Sequence, residues 1–437
     1  MLELVRVFAE FLAGLTFREW LMYFWPFFLI DLTRYTLVDG YAVFRYLYTW
    51  HKEKPVRKRA RRTLYREYPL VSVIIPGKDE GPNLGPLIDS LHRQTYDNLE
   101  IIVIDDGSGD RTPQIGRRLE AEGRIDRFLR QRMRGGKASA ANTGLRWVHG
   151  TFVVHVDADS YLADDAIEKS LIPMYVDDDI GAVGGDIRIA NKPVNLTTRL
   201  QAIEYLKSIT IGRTASSVYN ILRIVAGAFG TFRTKTLRRI GGWDVGPGLD
   251  GDIILKLRKL GFKIRHVPDS VCYTNAPTQF TSLAKQRYRW SRSVVRFRLR
   301  KHRDLLNPAG PFTWTDFISV LDNIFFSLIL NFKWFIYLLQ MIFFHINVIP
   351  FLLIINLFLY TLNNVFQFAL VKVLLGAKRK EDTRELALFL PLMPLYVGLY
   401  LRSVRTIAYV MELLFKASYW DSWNPWKVSK QARKEGV

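Results

Sequence analysis

Apolar positions divide the chain into two membrane-like ends and a middle region of ordinary soluble composition. Residues 334–371 contain no Asp, Glu, Lys or Arg, and a membrane helix needs about 20 apolar residues, so this run predicts two closely connected spans. Residues 311–332 carry two Asp and predict either a span or a helix on the membrane surface, and a further span is expected from Leu386 towards Leu414. Residues 20–48 are apolar and aromatic with a few charges inside. We therefore predict one or two N-terminal and three or four C-terminal spans.

Strand and helix patterns alternate in the middle region. Short β-branched runs predict strands, with the loops that end them, near residues 70–76, 100–108, 127–130 and 151–160. Apolar residues at helical spacing predict helices near residues 84–94, 110–121 and 142–148. Strands that end in loops rich in Asp, Glu and Gly are typical of a doubly wound α/β domain, which binds its ligand at the strand ends.

The charge distribution indicates which partner suits so basic a chain. The net charge is +21, from 62 Lys and Arg against 41 Asp and Glu. Residues 51–67 hold eight basic and two acidic side chains, and residues 285–303 hold nine basic side chains and no acid. Short basic flanks mark the cytoplasmic side of adjacent spans, so anionic lipid is a simpler partner than nucleic acid. The single cysteine, Cys272, excludes an intramolecular disulfide and a cysteine zinc cluster.

Asp157 and Asp159 are the first candidates for chemistry. They follow the predicted strand Thr151–Val156 directly, and an extended backbone would place both carboxylates on one face. Two hard oxygen donors suit Mg²⁺ or Mn²⁺ carrying a phosphorylated substrate. A solvated turn after a strand would give the same sequence.

Three further motifs have both a functional and a plain structural interpretation. The loop Gly135–Ser139 offers backbone amides and Lys137 to a diphosphate, or is a surface turn. Asp250 and Asp252 begin a predicted helix as reactive acids or as caps. Gln286-x-x-Arg-Trp290 is a binding motif or an interfacial anchor. Neither G-x-G-x-x-G nor G-x-x-x-x-G-K-[ST] occurs, which argues against a dinucleotide dehydrogenase and a P-loop enzyme.

The order of these motifs resembles the membrane-embedded processive glycosyltransferases of family 2, the relatives of cellulose, hyaluronan, chitin and poly-N-acetylglucosamine synthases. The motifs are Ile104-Asp-Asp-Gly-Ser108, Gly136-Lys137, Asp157-Ala-Asp159, Gly242-Trp-Asp244, Leu249-Asp250 and Gln286-x-x-Arg289-Trp290. They cover residues 68 to 300, and the flanking apolar segments agree with the family. The resemblance implies a GT-A-type nucleotide-sugar domain with a Rossmann-like mixed sheet, inserted between N- and C-terminal transmembrane segments.

The resemblance also implies a role for each matched residue. Asp250 would be the catalytic base, with Asp252 as the rival two residues later, and Asp159 and Asp157 would hold Mg²⁺ or Mn²⁺. The implied UDP contacts are Glu80, Asp106 (to uracil), Lys137, Asp157, Gln286, Arg289 and Trp290. The implied acceptor contacts are Trp290, Trp243, Phe229, Gly230 and Thr231. The chain departs from the family pattern at Lys78, Asp79, Gly248 and Leu249.

The family's function follows as an expectation. A single displacement would invert an α-linked UDP-Glc or UDP-GlcNAc donor into a β-linked polysaccharide that leaves through the protein's own membrane channel. The alternatives are a non-processive transferase that acts on a membrane lipid and a pseudoenzyme that binds nucleotide without turnover. Accessory secretion subunits are possible partners in this family, and residues 426–429 loosely resemble its gating segment.

The expected location is the cell membrane, multi-pass, with the catalytic domain in the cytoplasm. The expected regions are an N-terminal membrane region (1–50), a basic linker (51–67), the catalytic domain (68–308, with a basic interfacial helix at 280–303), a C-terminal membrane region (309–415) and a cytoplasmic tail (416–437).

Overall fold

The computed structural model describes residues 2–244, 248–307, 313–376 and 383–420. The N-terminal region is helical. Its helices are α1 (Leu2–Gly14), α2 (Phe17–Trp25), α3 (Asp39–Lys52) and α4 (Lys54–Glu67), and a π-type segment, Pro26–Val38, joins α2 to α3. Helix α2 starts at a capping box, in which the Thr16 hydroxyl accepts from the Glu19 amide and the Glu19 carboxylate accepts from the Thr16 amide.

Within the described residues, eight strands form one mixed sheet in the order β3-β2-β1-β4-β7-β6-β8-β5. They are β1 (Val71–Gly77), β2 (Leu99–Asp105), β3 (Arg127–Arg130), β4 (Phe152–Val156), β5 (Ser160–Leu162), β6 (Ile180–Ile189), β7 (Phe229–Arg233) and β8 (Lys263–Thr274). Strands β1 to β4 are mutually parallel, whereas β7 runs antiparallel to β4 and β6. The predicted mixed α/β sheet is therefore confirmed.

Helices cover both faces of this sheet. They are α5 (Gly81–His92), α6 (Thr112–Ala121), α7 (Lys137–Trp147), α8 (Ala166–Val176), α9 (Leu196–Tyr205), α10 (Gly212–Val218), α11 (Thr234–Arg239), α12 (Leu249–Lys259) and α13 (Phe280–Ser293). On β1, Val73 and Ile75 belong to the core that contains α5, whereas Ile74 belongs to the core that contains α7. Because both faces are buried, these strands have the continuous apolar runs seen in the sequence.

The C-terminal region is again helical, with α14 (Trp314–Asn323), α15 (Leu330–Phe344), α16 (Ile349–Leu375), α17 (Arg384–Ala387) and α18 (Arg402–Phe415). In the part of the chain that the structure describes, two continuous helical stretches are long and apolar enough to cross a membrane, Trp314–Phe344 and Ile346–Leu375. Only 17% and 11% of their apolar windows are buried inside the protein, as expected for helices that face lipid.

These two stretches differ from the predicted spans in their boundaries. The break lies at His345, so the segment predicted at 311–332 is not a separate element: its described part belongs to the same helical stretch as the first part of 334–371. The N-terminal spans and the span beyond Leu386 do not meet the same criterion and stay predictions. The N-terminal helices do pack on α16, where the Tyr360 hydroxyl donates to the Asp31 carboxylate at 2.8 Å and the Gln367 amide donates to the Tyr35 carbonyl at 3.2 Å.

Candidate active site

The candidate residues meet at the carboxyl ends of β1, β2 and β4. Gly77 and Asp105 are register partners at the ends of β1 and β2, and β4 lies on the other side of β1. Parallel strands bring their carboxyl ends to one edge, and the loops that follow carry the acidic residues there. This is the arrangement that the sequence predicted.

Asp157 and Asp159 lie in a turn rather than on an extended strand. Strand β4 ends at Val156, and the Ser160 amide donates to the Asp157 carbonyl at 3.1 Å. The expectation of an extended backbone is therefore wrong, because the chain reverses here to start β5. Burial and the neighbouring carboxylates of Asp157 and Glu80 together raise the pKa of Asp159 to about 6. Acidic groups crowded in this way are a favourable place for a divalent cation.

Lys137 is the first residue of α7 and forms an ion pair with Asp157. The preceding Gly136 has φ +88°, a conformation that residues with a side chain rarely adopt, so the turn into the helix requires glycine here. Helix α7 thus begins five residues before the predicted helix. Burial opposes the charge of the Lys137 ammonium, but the carboxylates of Asp157 and Asp250 outweigh it and raise its pKa.

Asp106 is buried and accepts hydrogen bonds from the loop before α7. Its carboxylate accepts from the Gly135 amide at 2.7 Å and from the Gly136 amide at 2.9 Å. Burial raises its pKa, and these two donors oppose that effect. Asp106 therefore fixes the loop that presents Lys137, and its contact with uracil stays a prediction.

Glu80 lies between the first loop and the acidic pair. Its carboxylate accepts from the Asn83 amide at 2.7 Å, and burial, followed by the charge of Asp157, raises its pKa. Asp79, where the chain departs from the family pattern, has φ +58°, and Asp and Asn are the side chains that best tolerate this conformation. The aspartate at this position therefore suits the backbone of the loop.

Asp250 and Asp252 begin the same helix but have different surroundings. Asp250 is partly exposed, and its Oδ2 accepts from the Gly227 amide at 2.9 Å. Asp252 is fully buried; its carboxylate accepts from Lys301 Nζ at 2.7 and 2.8 Å and lies 2.6 Å from His302 Nε2. Lys301 and His302 thus hold Asp252 in a structural network, whereas Asp250 keeps a partly exposed carboxylate.

Helix α13, which carries Gln286, Arg289 and Trp290, touches the start of α12 at its last residue. A Cβ built on Gly248 would meet Ser293 of α13 at 2.2 Å, so the two helices touch there. Arg289 is exposed, and the Trp290 ring is 43% exposed. Trp290 thus exposes part of its aromatic surface to solvent.

The sequence did not single out Arg287, although it lies within the same motif. Its guanidinium lies 4.6 Å from the centre of the Trp290 ring and pairs with Glu204 at 2.9 Å. It therefore supports the ring from the buried side of α13.

Four predicted acceptor contacts are buried in this structure. Phe229, Gly230 and Thr231 are buried within β7, and the Trp243 ring is 3% exposed and packs against His155 and Phe232. The burial of β7 arises because the strand lies between β4 and β6 in the middle of the sheet, and the acceptor roles stay predictions. The possible gating segment at 426–429 lies outside the described residues.

Two residues near Asp250, His155 and Gly227, were not predicted. His155 is the one polar side chain in the otherwise apolar strand β4, which was the only sequence signal for it. Its Nδ1 lies 2.7 Å from the Gly227 carbonyl, and burial, with the nearby Lys137 charge, lowers its pKa to about 3. Gly227 in turn donates to Asp250.

The carboxylates at the strand ends fit a divalent cation that arrives with a phosphorylated substrate. Asp157, Asp159 and Glu80 are hard oxygen donors that act on one another electrostatically. Within the described ranges, no three His, Cys, Asp or Glu side chains are close enough to hold a metal ion by themselves. A cation here would therefore need oxygen ligands from elsewhere, and phosphate oxygens meet that need.

Comparison with known proteins identifies the class of this domain. Residues 72–241 match the model of the family described as Glycosyl transferase family 2. Over 87% of its length the chain has the fold of a mannosyltransferase, PcManGT from Pyrobaculum calidifontis, solved in complex with GDP-Man and Mn²⁺, with a TM-score of 0.56 at 21% identity over 99% of that chain. The central region thus has a GT-A-type fold, and its residues 72–241 are similar to glycosyltransferase family 2.

Two curated relatives are similar to the chain over about half of its length. The chain is 28% identical over 253 residues to a poly-beta-1,6-N-acetyl-D-glucosamine synthase of Staphylococcus epidermidis, covering 56% of this chain and 59% of that protein. It is 30% identical over 242 residues to an N-acetylglucosaminyltransferase of Rhizobium sp. (strain N33), covering 52% of this chain and 53% of that protein. The chain thus spans between half and three fifths of these relatives, and the similarity is to enzymes that transfer or polymerise N-acetylglucosamine.

Proposed function

We propose that this protein is an inverting β-glycosyltransferase that adds a hexose from UDP-GlcNAc or UDP-Glc to the end of a growing polysaccharide. The observation that carries the proposal is the position of Lys137, which pairs with Asp157 of the acidic pair and also acts on the Asp250 carboxylate. Lys137 therefore lies between the proposed diphosphate site at Asp157 and the proposed base, Asp250. The leaving UDP and the attacking hydroxyl would come together at this place. Both curated relatives carry N-acetylglucosamine in their names, which favours UDP-GlcNAc.

The reaction would be a single displacement. The acceptor hydroxyl gives its proton to Asp250 as its oxygen forms a bond to the anomeric carbon, and the bond from that carbon to the UDP oxygen breaks, with UDP taking the electron pair. Lys137 and Arg289 offset the charge that develops on the leaving diphosphate. A divalent cation held by Asp159, with Asp157 and Glu80 beside it, would add further positive charge there. The exposed Trp290 ring would stack on the terminal acceptor sugar.

Asp157 and Asp159 have different roles in this proposal. Asp157 already pairs with Lys137, whereas Asp159 accepts only a 3.3 Å hydrogen bond from Ser160 among the contacts described. Asp159 is therefore the better direct ligand, and Asp157 faces the ribose or completes the shell of the cation. The roles of Asp106 towards uracil and of Gln286 towards the diphosphate follow the family resemblance.

Processive synthesis across the membrane is the second part of the proposal. Polar side chains line the contact between the N-terminal helices and α16, including the Tyr360–Asp31 hydrogen bond. Lys207, which follows α9 in the catalytic domain, donates to Asn364 of α16 and so continues this polar contact to the domain. Polar groups inside membrane segments commonly mark a pathway. We place the catalytic domain on the cytoplasmic side, between the N- and C-terminal membrane regions, because its borders are basic.

The test uses membranes that contain the protein, incubated separately with UDP-GlcNAc, UDP-Glc and UDP-GlcA. The expected result is UDP release with one donor and a polymer that a matching β-glycosidase digests. Asp250→Asn should lose turnover while it still binds the donor. If the product is a single sugar on a membrane lipid, the protein is the non-processive transferase. If the protein binds the donor without releasing UDP, it is a pseudoenzyme. Full turnover in Asp250→Asn would remove Asp250 as the base.

A further inference from the structure

A short segment between α10 and β7 connects the strand of the acidic pair to the helix of the proposed base. On one side, strand β4 reaches this segment twice. The Asp157 amide donates to the Ala228 carbonyl at 3.3 Å, and the His155 ring reaches the Gly227 carbonyl through Nδ1 at 2.7 Å. On the other side, the Gly227 amide donates to Asp250 Oδ2 at 2.9 Å. Gly227 is therefore held on both sides of its Cα.

The chemistry of the partners fixes the tautomer of His155. A carbonyl oxygen can only accept, so Nδ1 carries the hydrogen and donates it. Nε2 has no hydrogen-bond partner among the described residues, and the side chain is buried, with the residue 2% exposed. The Trp243 ring lies 5.3 Å away and limits rotation of the imidazole. Among the described residues, the polar contact of the ring thus goes to Gly227.

Space around Gly227 is taken by the groups of the proposed reaction. A Cβ built on Gly227 would lie 2.6 Å from Asp250 Oδ1 and 2.7 Å from Lys137 Nζ. Both groups therefore pack directly on the Gly227 backbone. A small shift of that backbone would move Asp250 relative to Lys137.

We propose that His155 is a positioning residue for the base: through its hydrogen bond to the Gly227 carbonyl it sets the place and direction of the amide that orients Asp250. This inference rests on the proposed function, in which Asp250 takes the acceptor proton. A general base must lie within hydrogen-bond reach of the proton it removes. A misplacement of about 1 Å can cost roughly 100-fold in rate, so a hydrogen bond one step away from the base matters.

The test exploits the two possible positions of a donor in place of histidine. In His155→Asn, the side-chain amide nitrogen lies where Nδ1 lies in histidine and can still donate to the Gly227 carbonyl. In His155→Gln, the amide nitrogen lies near the position of Nε2, farther from that carbonyl. His155→Leu removes the donor. We expect kcat to fall roughly 10- to 100-fold in the Leu and Gln variants, and by about threefold or less in the Asn variant. The KM and Kd for the UDP-sugar should stay near the wild-type values in all three, because none of these variants alters the acidic pair.

His266→Leu is the matched control, since His266 is a buried histidine (3% exposed) in β8, which is not a neighbour of β4 in the sheet. It should lower the melting temperature as His155→Leu does, without the loss in kcat. If His155→Leu does not fold, the comparison of the Asn and Gln variants decides the question.

The outcomes separate this inference from the proposed function. Equal kcat in the Asn and Gln variants, or unchanged kcat in His155→Leu while Asp250→Asn is inactive, would overturn the positioning role alone. Retained turnover in Asp250→Asn would overturn the assignment of the base itself, and the inference with it. A loss of donor affinity equal to the loss of kcat would show that His155 supports the UDP-sugar site instead and would also overturn the inference.

Discussion

Asp250 and Asp252 lie two residues apart at the start of α12, and replacing each by Asn should damage the protein in opposite ways. Asp252 is fully buried between Lys301 and His302. Removing one partner of a buried ion pair costs about 3–5 kcal/mol. Because the Lys301 side chain is 35% exposed and can regain water, we take the lower end, about 3 kcal/mol, for Asp252→Asn.

This loss should be visible as a lower melting temperature. One kcal/mol shifts the melting temperature of a domain of 150–250 residues by about 2–4 °C, so Asp252→Asn should melt roughly 6–12 °C below the wild type. Asp250 is partly exposed and accepts one backbone hydrogen bond, so Asp250→Asn should change the melting temperature by only about 3 °C or less. Its turnover should fall by roughly 10²–10⁴-fold, the range that general base catalysis supplies.

The assay pairs thermal unfolding in detergent, followed by tryptophan fluorescence, with UDP release measured well below the melting temperature. Asp304→Asn is the matched control, because Asp304 also forms an ion pair at α12, with Lys259, but its side chain is 46% exposed. An exposed pair contributes about 1 kcal/mol or less, so this variant should stay close to the wild type in both measurements. A stable, inactive Asp252→Asn together with an active Asp250→Asn would exchange the two roles and refute the reasoning.

Three further predictions concern the same domain. Gly227→Ala should abolish most turnover and also weaken donor binding, because the added methyl group displaces both Asp250 and Lys137; normal kcat would show that the loop shifts freely. Chelation by EDTA should stop UDP release without changing the melting temperature, and Mn²⁺ or Mg²⁺ should restore it; full activity after chelation would exclude the cation. Burial opposes ionisation of Glu168, but its hydrogen bonds, first that from Arg61, outweigh burial and hold its pKa below 4.5. A carboxyl group whose pKa is lower in the folded state stabilises the protein above its unfolded pKa, and this stabilisation disappears as the pH falls through the folded pKa. The wild type should therefore melt above Glu168→Gln at pH 7, and the difference should shrink below about pH 4.5. A difference that does not change with pH would contradict the pairing.

The sheet and its reactive edge could be predicted because their signals are local. Apolar, β-branched runs such as Val71–Ile75 encode buried strands, and strands of one direction must end at one edge of the sheet. Asp106 and Asp157 each follow such a run directly, so their proximity needed only the parallel order of β2, β1 and β4. The same local logic located Lys137, which a glycine loop presents to that edge.

The rest depends on contacts between distant parts of the chain. Asp252 is distinguished from Asp250 by Lys301 and His302, which lie 49 and 50 residues away in sequence. The turn at Asp157 depends on the reversal into β5, which pairs with β8 more than a hundred residues later. The burial of Thr231 follows from its place between β4 and β6, which strand propensity alone does not specify. Local patterns carry no information on such pairings.

Helix α12 shows how these distant contacts serve the site. Near its start, Asp252 ties it to the basic segment that follows α13, and near its end the buried Arg258 forms an ion pair with Asp316 at the beginning of α14. Both side chains of that pair are almost inaccessible, at 4% and 6% exposed, so α12 and the start of the first apolar helical stretch are joined away from water. Asp250 is therefore carried by a helix that is fixed to the first of the two apolar helical stretches. If Asp250 is the base, these two ion-pair contacts set its distance from that stretch, so charged residues that touch no substrate help to position it.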